Sequence, residues 1–529
     1  MSTGQRDVEV DVVIVGYGPV GQYLAYKLGR LGWTSACIER FPEAYAFPRA
    51  VHFDDEVARL FQSIGLDPSD NPAVQPYDNL YRWVNADKEV LLELDWTGIG
   101  PSGWQTSNFF HQPDLEREIR KIVDTETRAE VHRGWEAVEL HQDDQGATVL
   151  ARSTRGDGAT RTFRGRYVVG ADGANSFVRT SLGITMTDLG FEFDWLILDV
   201  LPHEPMHFDP PAWQWCRPER PTTVVPGGAP HRRRWEYMRM PDESIEELNT
   251  EATAWERLAE FGLTPDNATL ERHVVYTFRA RWCDQWRRGR ALLAGDAVHL
   301  MPPFAGQGMC AGLRDAEALL WRLDAVLAGR SPDALLDSYG PERTEHVRYF
   351  IELSMGLGRV ICVSAPEAAT LRDLEMRAAH QDPSLAPAEP APPHLGPGIL
   401  GSHPLAGHLS HQGRVIVAGR EGRFDDVCGQ GWTVLARPGA LAHLSDAIRT
   451  WCSEVGVRLF EVGAPGSGAQ VIDVEGRYDA WLDELGTPVA VVRPDFYLYD
   501  AVPAERLDEA LRGLRTALET GSVARVTVG

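Results

Sequence analysis

No two of the seven cysteines (Cys37, Cys216, Cys283, Cys310, Cys362, Cys428 and Cys452) stand as a C-x-x-C pair, and their number is odd. This excludes a disulfide framework and a thiolate zinc centre, so no metal is expected. Isolated thiols fit a reducing compartment, and a cytoplasmic location is expected. Basic residues are scarce: 52 Lys and Arg against 76 Asp and Glu leave a net charge of -24. Phosphate backbones need a basic surface, so nucleic acid is not an expected partner, and an anionic membrane face is disfavoured. No apolar run approaches the ~20 residues of a membrane helix. The opening stretch, Met1 to Val10, is polar and charged, unlike a signal peptide. No segment repeats at a solenoid period.

Glycine is plentiful, and it is placed with a pattern. Three glycine-containing motifs follow one another: Gly16-Tyr17-Gly18-Pro19-Val20-Gly21, Gly170-Ala171-Asp172-Gly173 and Gly295-Asp296-Ala297-Val298-His299. The first follows an apolar run, Val8 to Val15, that predicts a buried strand. A helix over Val20 to Leu31 and a second strand over Ser35 to Glu39 complete a β-α-β unit. In such a unit Gly16 permits a tight turn, Gly18 admits a pyrophosphate, and Gly21 lets the helix pack on the strand. The helix amino end attracts the anion, and Glu39 is placed to accept from ribose hydroxyls. The second motif follows Arg166 to Val169; an aspartate there is equally a simple turn residue. The third follows Ala291 to Ala294, and Asp296 is a candidate acceptor for a ribityl hydroxyl. Beyond it, Pro302 and Pro303 stiffen a loop. Gly306 and Gly308 expose amides at a helix start, where positive dipole character gathers and could steady charge on a reduced isoalloxazine. Taken together, the three motifs predict one chain folded around one flavin adenine dinucleotide (FAD).

The rest of the chain reads as inserted and appended modules. Short alternating stretches such as Glu89 to Asp95 and Thr148 to Ser153 predict strands, and residues 188–280 are dense in Trp and Pro. A second, mostly antiparallel sheet set into the first domain is expected. The expected boundaries are 1–78, 100–185 and 282–380 for the FAD-binding domain, and 79–99 with 186–281 for the substrate-binding sheet. Long helices are expected over Gly306 to Leu327 and Pro332 to Ile361. A proline-rich linker then occupies 381–403, and 404–529 forms a further α/β domain with strands at Trp432 to Ala436, Leu459 to Val462 and Pro488 to Val492.

On these residues, with Glu39-Arg40, Pro48-Arg49-Ala50-Val51, Gln112, Gly170 to Arg179 and Gly295 to Asp315, the chain resembles the group A flavoprotein aromatic hydroxylases of the para-hydroxybenzoate and phenol hydroxylase type. Within that group it is most similar to the 3-(3-hydroxyphenyl)propionate hydroxylases. The string Pro302-Pro303-Phe304-Ala305-Gly306-Gln307-Gly308-Met309 is the most specific part of the likeness. The resemblance implies an α/β fold: a Rossmann-like FAD-binding domain, an inserted antiparallel substrate domain and a thioredoxin-like C-terminal domain. Without C-x-x-C that last domain would be structural or dimer-forming, not redox-active. The resemblance also implies that Arg40 and Arg49 touch the adenosine and pyrophosphate, and Gln112 the ribityl or phosphate region. Asp172 would support the nicotinamide-facing or pyrophosphate side. Pro303, Gly306, Gly308 and Met309 would hold the flavin ring, with Pro302 at the reacting centre.

The family reduces its flavin with NADH or NADPH bound transiently. It forms a C4a-hydroperoxide with O2 and hydroxylates an electron-rich ring ortho or para to a phenol. A small aromatic substrate and possible homodimers are therefore expected. A base beside the phenol would help, and His52, next to Asp54 and Asp55, is the candidate; it is equally a helix-start residue whose acidic neighbours cap the helix. His299 has the same two readings, as a functional group or a brace for its loop. Trp213, Trp215 and Tyr237, with Trp195 and Met238, are candidate walls of the substrate site. Arg232 to Arg234 would either attract a carboxylate or form a solvated patch. The cofactor motifs do not separate a hydroxylase from an oxidase, an epoxidase or a Baeyer–Villiger oxygenase acting on a polycyclic polyketide intermediate. A flavin-binding regulator or a geranylgeranyl-reductase-like protein is the reading outside that class.

Overall fold

A computed structural model describes residues 7–43, 47–126, 128–385 and 391–521. The apolar run Val8–Val15 is a buried strand at the centre of the first sheet. It pairs in parallel with Thr160–Gly170 on one side and with Ser35–Glu39 on the other. Ala291–Leu293 extends the parallel set beyond Thr160–Gly170, and Ala129–Arg133 extends it beyond Ser35–Glu39. Helix Pro19–Arg30 opens directly after the first glycine turn with proline at its start, where the missing amide costs nothing.

The second sheet has eight strands. Its long antiparallel pair, Met186–Pro202 and Ala268–Cys283, is joined by Arg233–Met238, Thr222–Pro226 and Ala212–Trp215. Leu80–Val84 and Val90–Asp95, from far earlier in the chain, complete it. One face packs on helix Glu251–Ala259 through Leu196, Leu198, Trp235 and Tyr237 against Ala254 and Leu258. The other face is turned to the first sheet.

Two long helices, Gly308–Leu327 and Tyr339–Ile361, back the flavin-side sheet. The second is shorter than expected from sequence: Pro332 leads into a 3-10 turn, Asp333–Ser338, before the α-helix begins. A further helix, Pro366–Gln381, occupies residues read as the run-up to the linker, and its proline stands in the first turn. Part of the expected linker, 386–390, lies outside the described residues. The C-terminal sheet has seven strands. Thr433–Ala436 lies in it parallel to Arg458–Gly463 and antiparallel to Val489–Val492. No helix among the described residues is long and apolar enough to cross a membrane.

Candidate flavin and substrate site

Each of the three glycine motifs follows a strand, and those strands are neighbours: Ala291–Leu293, Thr160–Gly170 and Val8–Val15 lie side by side and parallel. Parallel neighbours end at the same edge, so the three loops must meet there, at the carboxyl ends where open α/β sheets bind ligands. Gly16 has φ +101 and lies against Ala171, whose carbonyl oxygen a side chain on Gly16 would strike. A Cβ on Gly21 would strike the Gly16 carbonyl, so the helix packs on the turn as expected. Gly18 differs: a Cβ there meets nothing within 4 Å, because it faces open space. The buried Arg179 ties the other two loops together, donating to Ala297 O at 3.0 Å and to Ala174 O at 2.9 Å.

That open space is a cavity of about 590 Å³. Gly18, Pro19, Arg49, Gln112, Gly173 and Asn175 line it together with Gly295, Asp296, Pro303, Gly306, Gly308 and Met309. Asp296 projects into it with an exposed side chain. Gln112 anchors the neighbouring segment by accepting from the backbone amides of Arg49 and Ala50, both at 2.8 Å. The open face at Gly18, beside a helix amino end, and the second helix start at Gly308 suit an extended anionic dinucleotide.

Four predicted cofactor or catalytic residues take supporting positions. Glu39 accepts from Tyr17 N and Phe41 N, each at 2.9 Å, which leaves each oxygen a further lone pair beside the first turn. Arg40 is exposed outside the cavity lining, its guanidinium 4.8 Å from the Phe41 ring. The Asp172 carboxylate is turned inward: it accepts from Ser176 Oγ at 2.5 Å and from Val178 N at 3.0 Å, fixing the start of the next short helix. Pro302 is buried between Met301 and Pro303, which both reach the cavity.

His52 does line the cavity. Its Nε2 lies 2.9 Å from Ser107 Oγ, and its ring stacks on Trp96 at 4.6 Å. Burial pushes its pKa down to about 4, with the Arg314 charge adding to the effect and Asp54 and the Gly306 carbonyl opposing it. His52 is therefore a neutral imidazole at neutral pH. The capping alternative holds for its neighbour: Asp54 accepts from Val57 N at 3.0 Å at the start of helix Asp55–Ser63. Asp54 also accepts from Arg314 and from Gln307 Nε2, which pins the Pro302–Met309 loop. His299 braces its loop: its Nε2 lies 2.7 Å from Asp315, which also accepts from Gly295 N at 3.0 Å and Arg343 Nε at 2.9 Å. Burial alone would raise the Asp315 carboxyl, but His299 and Arg343 hold it below the usual range.

The substrate walls are corrected by strand parity. Trp213, Trp215 and Tyr237 lie on the face of the second sheet turned away from the cavity. Tyr237 is fully buried and donates to Arg257 O at 3.2 Å, and Trp213 packs in the same cluster. Trp215 lies under the Arg217 guanidinium, 3.8 Å from its ring. Their sequence neighbours point the other way, since successive strand residues alternate faces. Ile197, Glu236, Thr223 and Gln214 form one cross-strand row on the cavity side, with Tyr81, Trp96, Phe109 and Phe304 around them. Alternation groups these residues on one face, and helix Glu251–Ala259 on the other side decides that this face meets the cavity. Arg234 is neither a free anion trap nor solvated. It is buried, with bonds to Asp199 at 2.7 and 3.1 Å and to the carbonyls of Arg49 and Pro48.

Residues 9–354 match the family described as FAD binding domain, and residues 407–517 match the HcaD C-terminal domain. The chain belongs to the FAD-binding-domain family. The similar proteins include a probable NADH-specific resorcinol 4-hydroxylase of Rhodococcus jostii (strain RHA1), 38% identical over 93% of this chain and 91% of that protein. A 3-(3-hydroxy-phenyl)propionate/3-hydroxycinnamic acid hydroxylase of Mycolicibacterium gilvum (strain PYR-GCK) is 33% identical over 99% of this chain and 94% of its own length. The fold is also that of the flavin-dependent monooxygenase PieE, solved in complex with FAD and substrate: TM-score 0.79 and 20% identity, covering 97% of this chain and 100% of that one. The cofactor of this family member is FAD, and the chain is an FAD-dependent aromatic monooxygenase.

Proposed function

We propose that the chain hydroxylates a phenolic ring with FAD, NADH or NADPH, and O2. The observation that carries this reading is a single cavity whose glycine-lined part continues into an aromatic-walled chamber with a few convergent polar groups. The hydroxylase names of the two full-length relatives support the ring chemistry, and the name of the first supports NADH. When bound, FAD supplies electron transfer from the nicotinamide and activation of dioxygen. The Gly16–Gly21 turn and Arg49 would hold its pyrophosphate, and Glu39 its ribose. Asp296 and Gln112 would serve the ribityl region, and Pro303, Gly306, Gly308 and Met309 the ring system.

The chain's own part is to orient the substrate and keep water out. Trp96, Phe109, Phe278 and Phe304 supply apolar walls for an aromatic guest. The bond between His52 and Ser107 fixes the imidazole ring, and a neutral imidazole offers one acceptor or one donor to a substrate hydroxyl. With its pKa held near 4, His52 positions the phenol and is a poor acceptor of its proton. The C-terminal module, a β-α-β unit followed by a short strand, a helix, a hairpin and a last helix, supports a thioredoxin-like reading, without redox thiols.

The test is to purify the flavin-loaded chain and measure NADH oxidation with a panel of phenols. Acceleration by a phenol, with one oxygen atom gained by the aromatic product, is the expected result. NADH oxidation indifferent to every phenol would refute the reading.

A further inference from the structure

One member of the cross-strand row on the cavity floor stands apart from its neighbours. Gln214 is satisfied on both sides, donating to the Tyr81 hydroxyl and accepting from Thr223 Oγ1 at 2.6 Å. Glu236, directly beside Thr223 in register, is 5% exposed and lines the same cavity. Among the described residues no hydrogen bond reaches its carboxylate. The Arg234 guanidinium lies 3.8 Å away, beyond hydrogen-bond range, and is committed to Asp199 and two backbone carbonyls. Burial pushes the Glu236 carboxyl up to about 7, with Asp199 adding to the rise and Arg234 opposing it.

With its pKa near 7 the carboxyl is part protonated at neutral pH, so it can accept or donate, and the side it presents is the substrate chamber, where no hydrogen bond from the described residues reaches it. A substrate group able to donate and to accept is its natural partner. An O–H on the ring meets that need. A carboxylate side chain can only accept, and against the ionised form of Glu236 it brings a like charge into a low-dielectric space. We propose that Glu236 reads a second ring hydroxyl, so that the cavity takes an uncharged dihydroxybenzene in preference to a phenol bearing a carboxylate. This rests on the hydroxylase reading above and names the substrate class of that same site.

The test uses the flavin-loaded wild-type chain and Glu236→Gln, with resorcinol and 3-(3-hydroxyphenyl)propionate as probes. Dissociation constants come from quenching of tryptophan fluorescence, since Trp96 lines the chamber, and KM and kcat come from NADH oxidation. The wild type is expected to bind resorcinol the more tightly. Glu236→Gln is expected to weaken resorcinol about tenfold in Kd and KM, as for loss of a hydrogen bond to a charged group, and to narrow the gap to the propionate. Wild-type preference for the propionate, or an unchanged ratio of the two constants in a folded variant, would overturn the proposal. The wild-type comparison decides the matter even where the variant fails to fold. Tight resorcinol binding without phenol-stimulated NADH oxidation would strike the hydroxylase reading and leave the Glu236 site standing.

Discussion

At the scale of single residues, burial decides what each ionisable group can do. His52 carries a folded pKa of about 4 against an ordinary value of 6.5. Between those values the unfolded chain binds a proton that the folded chain refuses, so the contribution of His52 to stability rises with pH over that window and is flat above it. In urea unfolding the His52 contribution should be about 2.4 kcal/mol larger at pH 7 than at pH 4.5. His52→Gln should remove that part of the slope. An identical slope in both proteins would show that His52 titrates normally. The candidate base in the sequence was a histidine flanked by acids, but the order of the chain does not reveal that Asp54 would spend its charge on Arg314 and a helix cap. Glu236 could not be singled out at all, because its isolation depends on Arg234 being claimed by Asp199 from an adjacent strand.

At the scale of elements, alternation and adjacency do most of the explaining. The wall assignment makes a simple prediction: Tyr237→Phe removes one buried hydrogen bond, to Arg257 O, on the far face of the sheet. It should cost about 1 kcal/mol in urea unfolding and leave substrate KM unchanged. A severalfold rise in KM with no loss of stability would place Tyr237 in the chamber instead. The first strand, its helix and the three glycine loops were legible because apolar runs and glycine spacing are local signals, and they carry the cofactor half of the site. The substrate half was not, since strand parity says which residues share a face but not which face meets the cavity. That is set by helix Glu251–Ala259 covering the other side. Helix Pro366–Gln381 is hard to see in the sequence for a different local reason: its proline reads as a breaker, although it stands in the first turn.

At the scale of the whole molecule, the C-terminal module is docked, not tethered. Glu342, on helix Tyr339–Ile361, receives Arg322 from the preceding helix, Arg493 from the turn after strand Val489–Val492 at 2.7 Å and the amide of Ile399 at 2.6 Å. The side chains of Glu342, Arg322 and Arg493 are all fully buried. Glu342→Gln leaves the buried Arg322 without a carboxylate partner, while Arg493 keeps Asp495 at 2.6 Å, and should lower stability by about 3–5 kcal/mol. A change within about 0.5 kcal/mol, the range of an ordinary surface substitution, would mean that this cluster adds nothing to a docking that also rests on the buried pair Arg59–Asp425 at 2.7 Å. The convergence of three loops from neighbouring parallel strands on one cavity is what the flavin assignment stands on, and Gly18 is where it is most exposed to test. A methyl group there touches no protein atom, and its φ of -77 suits alanine, so the fold has no reason to suffer. The decisive measurement is FAD titration of the flavin-stripped wild type and Gly18→Ala, read by flavin fluorescence alongside urea unfolding. The expected result is one FAD per wild-type chain and at least about tenfold weaker binding in Gly18→Ala, with the unfolding midpoint unmoved. Undiminished FAD affinity in that variant, or a wild-type chain that takes up no FAD, would contradict it.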